Sequence, residues 1–136
     1  EISNNTIINN HFGIRIAGGR PMIRNNIVAF NNRFARGWGI TNYGGEPIIN
    51  FNNLYGNNRA DCQNCSQSGG ALSEDPQFID IDQARGIFDD LHLQSISGSI
   101  DAGDPRDSFD HEPIAETNGG IDMGAYGNTS EATLRN

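Results

Sequence analysis

The chain has 136 residues, 35% hydrophobic content, 17 glycines and a formal net charge of −8. That size allows one compact domain or a short solenoid, and low apolar content with much glycine suits a thin core wrapped in turns. The acidic balance argues against a nucleic-acid partner, because phosphate backbones repel it, and no apolar run approaches the roughly 20 residues of a membrane helix.

Residues 1–58 read as about three coils of a solenoid. Asn4-Asn5 recurs as Asn25-Asn26 and as Asn52-Asn53, with steps of 21 and 27 residues between second members. Five residues beyond each pair stands another Asn: Asn10, Asn31 and Asn58. A repeat near twenty residues marks coils that stack, each burying the apolar face of the last. Apolar positions share the period: Ile2 aligns with Ile23 and Ile49, Ile7 with Val28 and Tyr55, and Gly13-Ile14 with Gly39-Ile40. They alternate with polar residues, as in short strands with one buried face, and no helical periodicity runs through them. Asn tolerates left-handed backbone and suits the bends between strands. Stacking then places Asn5, Asn26 and Asn53 in one column and Asn10, Asn31 and Asn58 in another. At a spacing of about 4.8 Å, amides in a column can donate to one neighbour and accept from the other.

The second coil carries extra residues between Arg33 and Gly39, and insertions in a solenoid go to one face, often the binding face. Phe34, Arg36, Trp38, Asn42 and Tyr43 lie in or near it. Flat rings stack on sugars while Arg and Asn bond hydroxyls and carboxylates, so these five are candidate carbohydrate-binding residues. The competing expectation is that Trp38 folds back and shields Ile40.

From residue 59 the composition turns to Asp, Ser and Gly. Cys62 and Cys65 could hold zinc only with two further ligands, and His11, His92 and His111 lack the spacing. A local disulfide in an oxidising compartment is the expectation instead. Residues 76–79 and 91–93 read as short strands, with Phe78, Leu91, Leu93 and Ile100 in the core and His92 outward. Two acidic clusters follow, Asp80, Asp82, Asp89 and Asp90, then Asp101, Asp104, Asp107 and Asp110. Calcium takes oxygens from such loops, which makes Asp80, Asp82, Asp101 and Asp104 candidate ligands of a structural ion, although Asp is also a common turn former. Residues 59–136 are expected to cover the end of the solenoid, where open strands need a cap.

The stretch Asn25-Asn26-Ile27-Val28-Ala29-Phe30-Asn31 resembles the repeat of right-handed parallel β-helix proteins. Four further motifs occur in order: Glu74-Asp75-Pro76-Gln77-Phe78-Ile79-Asp80, Leu91-His92-Leu93, Ser99-Ile100-Asp101-Ala102-Gly103-Asp104-Pro105 and Gly120-Ile121-Asp122-Met123-Gly124-Ala125-Tyr126. Together they resemble the C-terminal segment of secreted bacterial β-helix repeat proteins. Ser95 and Gly98 stand where that family often has proline, and Gly127 where it often has Glu. The resemblance implies an all-β fold, a right-handed parallel β-helix of about three coils with an irregular C-terminal capping segment. It also implies a secreted or cell-surface location and dealings with polysaccharide or cell-envelope glycan.

An enzyme of this type needs particular groups. A β-elimination lyase needs a base beside the uronate, and lysine is absent; Arg15, Arg20, Arg24, Arg33 and Arg36 remain, with Arg15 and Arg24 expected on a solvated outer face. A glycosidase needs two carboxylates about 5–9.5 Å apart, and the coils offer only Glu1 and Glu46. The reading is therefore a non-catalytic terminal module that binds or presents polysaccharide. Two alternatives stand beside it. One is a structural subunit stacking end to end through an uncapped N-terminal coil. The other is the C-terminal fragment of a polysaccharide lyase or glycosidase with its active site upstream of Glu1. The chain starts inside a repeat, so further β-helix coils, from the same or another chain, are the expected neighbour there.

Overall fold

A computed structural model describes residues 1–31, 37–81, 90–114 and 119–135, and among them there is no helix. Each coil contributes three short strands. The first coil holds β1 (Ile2–Ser3), β2 (Thr6–Ile7) and β3 (Phe12–Ile16); the second holds β4 (Met22–Arg24), β5 (Ile27–Ala29) and β6 (Trp38–Asn42); the third holds β7 (Ile48–Asn50), β8 (Asn53–Tyr55) and β9 (Ala60–Gln63). Three parallel sheets result, ordered β1-β4-β7, β2-β5-β8 and β3-β6-β9. This is an all-β stack of parallel coils, compatible with a β-solenoid. Ile2, Ile23 and Ile49 lie in one register, as do Ile7, Val28 and Leu54. Leu54, not Tyr55, completes the second column; Tyr55 pairs with Ala29.

The corners follow one rule. A residue with left-handed backbone is followed at once by an Asn whose amide turns into the stack. Asn4 (φ 53°), Asn25 (φ 56°) and Phe51 (φ 51°) precede Asn5, Asn26 and Asn52; Asn9, Phe30 and Gly56 precede Asn10, Asn31 and Asn57. The first column thus runs Asn5, Asn26, Asn52 and then Gln67. Asn5 Nδ2 donates to Asn26 Oδ1 at 3.0 Å, Asn26 Nδ2 to Asn52 Oδ1 at 2.9 Å, and Asn52 Nδ2 to Gln67 Oε1 at 3.1 Å. The repeat spacing makes Asn53 the third rung; the structure places it one residue on, in β8. The physical reason is that Phe51 occupies the left-handed bend in coil three, which shifts the doublet by one. The second column is corrected in the same way, from Asn58 to Asn57, because Gly56 takes that bend.

Phenylalanine in left-handed backbone costs about 1–2 kcal/mol. Burial offsets it, since Phe30 packs edge-on against Tyr55 and Phe78 with ring centroids 5.6 and 6.4 Å away. Gly39 answers a different need. A Cβ there would stand 2.3 Å from the Asp61 carbonyl oxygen of the coil below, so only glycine lets the backbones approach.

Inside the coils Ile14, Ile16, Ile23, Val28, Ile40, Ile49 and Leu54 form the first core. A second core lies on the outside of sheet β2-β5-β8. There Ile27 and Ala29 meet Phe78, Leu93, Ile100 and Met123 from the C-terminal part. The boundary expected after residue 58 falls inside coil three. Coil three continues through β9, and Ser68 and Leu72 bridge Asn50 and Asn53 beneath it. The remainder forms an antiparallel pair, β10 (Phe78–Asp80) and β11 (Asp90–Leu93), then climbs the flank as a strap. Asn53 Nδ2 donates to Ser99 Oγ, Gly124 N to Asn25 O, Ala125 N to Thr6 Oγ1 and Asn4 Nδ2 to Asp122 O. These bonds tie the strap to all three coils. Among the described residues no helix is long and apolar enough to cross a membrane.

Candidate functional site

Sheet β3-β6-β9 is the face next to the second-coil insertion. Its register pairs Phe12 with Trp38 and Ala60, and Arg15 with Thr41 and Gln63. Ile14 and Ile16 turn inward, so Arg15 between them is exposed. Its guanidinium lies 4.8 Å from the Tyr43 ring centroid and 5.6 Å from that of Phe12. Arg59 lies over Trp38 at 4.9 Å. Tyr43 is 52% exposed and Trp38 half-buried. Along a strand, the step from Trp38 to Tyr43 spans about 16 Å. The face therefore carries rings at both ends of its strands, Phe12 beside Trp38 at one and Tyr43 at the other, with Arg59 against Trp38 and Arg15 against both Phe12 and Tyr43. Thr41 Oγ1 and Gln63 Oε1, neighbours in the Arg15 column, are buried without a hydrogen-bond partner.

Among the five candidate sugar-contacting residues, Trp38 and Tyr43 reach this sheet. Asn42 instead closes the turn after β6, where its Oδ1 accepts from Gly44 N and Gly45 N while its Nδ2 donates to Gly45 O. Phe34 and Arg36 lie outside the described residues. Sequence reasoning missed Phe12 and Arg59 and took Arg15 for a merely solvated residue. The signal was present, since aligning Gly13-Ile14 with Gly39-Ile40 already sets Phe12 beside Trp38.

Charge is unevenly placed. Six of the nine arginines precede residue 60, where the acidic residues are Glu1 and Glu46. Both acids are engaged: Glu46 pairs with Arg20, and Glu1 Oε1 lies 2.8 Å from Arg24. The solvated face expected for Arg24 is not found; Arg24 is a strap anchor, 19% exposed and also paired with Asp107. Among the described residues Arg15 and Arg59 have no carboxylate partner, while Asp61 on β9 accepts from Asn57, so this face carries more positive than negative groups on an acidic protein.

The described candidate calcium ligands, Asp80, Asp101 and Asp104, do not converge. Asp104 is 1% exposed and held by Arg106, whose hydrogen bonds keep its carboxyl below the usual range. Asp101 accepts from Gly119 N, Asp80 is exposed at the end of β10, and Asp82 lies outside the described residues. Among the described residues no group of three or more His, Cys, Asp or Glu is arranged to hold a metal ion. Cys62 and Cys65 form a disulfide. His92, expected to be solvated, stacks on Tyr126 at 3.8 Å between Asp90 and Glu131. Asp122 is a buried acid of the strap: its oxygens accept from Asp101 N and Thr133 N, yet burial pushes its carboxyl up to about 7, with nearby Glu112 adding to the rise.

No family model matches this chain, and no curated protein or solved structure matches it either.

Proposed function

We propose that the chain is a non-catalytic module of a right-handed parallel β-helix protein, secreted or held at the cell surface, that binds polysaccharide on its β3-β6-β9 face. The observation that carries this reading is the set of ring–guanidinium contacts, Arg15 with Tyr43 and Phe12, and Arg59 with Trp38. An aromatic face offers stacking area to a sugar ring, and a guanidinium offers a planar fork to carboxylate or sulfate. The positive charge of the face favours acidic glycans. Parallel crossovers are right-handed in nearly all sheets, which supports the handedness. A Cys62–Cys65 disulfide fits an oxidising compartment. Binding is preferred over glycoside hydrolysis because the carboxylates of the described coil residues are engaged, Glu1 and Glu46 by arginines and Asp61 by Asn57.

Trp38 is the sole tryptophan, so its fluorescence reports directly on the face. Titration with a panel of acidic and neutral polysaccharides is expected to shift that emission for acidic members. Calorimetry should then give about a tenfold loss of affinity, ~1.4 kcal/mol, for Trp38→Ala and for Arg15→Ala. A panel that leaves the fluorescence unchanged, or variants that bind like the parent, would overturn the proposal.

A further inference from the structure

We propose that Asp61 is a stop for the second amide column, closing the β9 edge at the lower end of the coils, beside the edges of β7 and β8 that Ser68 and Leu72 bridge, to any further amide-bearing coil, a second copy of this chain included. The column has a direction. Asn10 N donates to Asn31 Oδ1 at 3.0 Å, and Asn31 donates through N and Nδ2 to Asn57 Oδ1 at 3.2 and 2.9 Å. Asn57 donates in the same way, through N at 3.2 Å and Nδ2 at 2.7 Å, but the acceptor is Asp61 Oδ1. The Oδ1 of Asn31 and of Asn57 receives from the coil above; Asn31 gives to the Oδ1 of the coil below, whereas Asn57 gives to Asp61, four residues on in its own coil. A carboxylate receives and has nothing to give.

The other column ends differently. Asn52 donates through N and Nδ2 to Gln67 Oε1, both at 3.1 Å, and glutamine still carries an amide that could donate onward. One column could therefore be extended and the other could not. Position makes the difference matter. Asp61 sits on β9, which among the described strands pairs only with β6 and so presents an edge. Below it lies an open recess of about 280 Å³ lined by Leu54, Asp61, Gln67 and Leu72 among others. An arriving coil would meet apolar walls and a strand edge there, the conditions that invite strand addition.

What an arriving coil must bring to the Asp61 rung is an amide oxygen, because the lower member always accepts. For a second copy that atom is Asn10 Oδ1, which receives no hydrogen bond from the described residues of its own chain. Two oxygens would face each other with no proton between them while the carboxylate loses water. A turned-in charge on an edge strand is a recognised way to refuse such pairing.

Asp61→Asn keeps the oxygen that Asn57 needs and adds the missing donor; Asp61→Ser, whose hydroxyl both accepts and donates, is a second probe. Size-exclusion chromatography with light scattering is run on the 136-residue chain across a concentration series, with circular dichroism to establish folding. The parent is expected to stay monomeric. D61N is expected to shift to larger, concentration-dependent species, and N10A in the D61N background to return them to monomer. A parent that self-associates end to end would overturn the proposal. So would folded D61N and D61S proteins that remain monomeric, or D61N assemblies that N10A leaves unchanged.

Discussion

Removing one rung of the first amide column tests whether the amides hold the coils together. In Asn52→Ala the loss is large on paper. Asn52 is fully buried; its Oδ1 accepts from Asn26 N and Nδ2, and its Nδ2 donates to Ile23 O, Asn50 O and Gln67 Oε1. Asn26 Nδ2 keeps two other acceptors, Ile2 O and Arg24 O. The buried Asn26 N–H has no such substitute. A buried polar group left unpaired costs about 1–3 kcal/mol, a large share of a typical total of about 5–15. Asn5→Ala is the control. Asn5 makes only the donating contacts, to Asn26 Oδ1 and Ser3 O, and is exposed, so water replaces the lost bonds and the cost should stay under about 1 kcal/mol. Urea unfolding followed by far-ultraviolet circular dichroism measures both. Should Asn52→Ala cost no more than Asn5→Ala, the column would be ornament rather than support. Asn53→Ala makes the register itself testable: it should loosen the strap to limited proteolysis, because Asn53 Nδ2 holds Glu74 O and Ser99 Oγ rather than a rung.

Two further outcomes follow from the strap and the stacking distance. Asp122 has its carboxyl raised to about 7 by burial, so the fold binds that proton more tightly than the unfolded chain does. Its contribution is fully present below the unfolded value of 3.8 and is lost as pH rises to about 7, on the order of 4 kcal/mol in all. Thermal melts between these pH values should show that decline in the parent and a flattened profile in Asp122→Asn, whose curve lies lower at acid pH because an amide cannot accept both the Asp101 and Thr133 N–H bonds; an equally steep profile in the variant would assign the titration elsewhere. Gly39→Ala drives a methyl group to 2.3 Å from Asp61 O and should cost at least about 2 kcal/mol in urea unfolding, and a neutral result would mean that the coils can part there.

Much of the coil architecture was legible in the chain. The spacing of Ile2, Ile23 and Ile49 and of Ile14 and Ile40 fixed three stacked strands, because a parallel stack must bury like over like. Doubled asparagines marked the corners, because few other residues accept left-handed backbone and supply an amide next to it. Their individual rungs were not legible. Nothing local says that Phe51 and Gly56 take the bends in coil three, for a phenylalanine with positive φ is tolerable only against packing that the strap provides. The candidate site divides along the same line. Trp38 and Tyr43 could be picked out as aromatic residues beside an insertion, but their partners Arg15 and Arg59 come from other coils and meet them only through register.

What the sequence determined alone was the periodic part: strand, bend, amide, repeated at a step set by the girth of one coil. Only tertiary structure decided the course of the C-terminal part, which passes beneath coil three at Ser68 and Leu72 and then turns back to flank the coils. Its residues follow no repeat, and what directs them is distant: the outer apolar row Ile27 and Ala29, the outward carbonyl of Asn25, and the ion pair of Arg24 with Asp107. Short-range pattern specifies a coil because each coil's partner is a copy of itself; a strap has no copy to follow, so its path is fixed by the surface it finds.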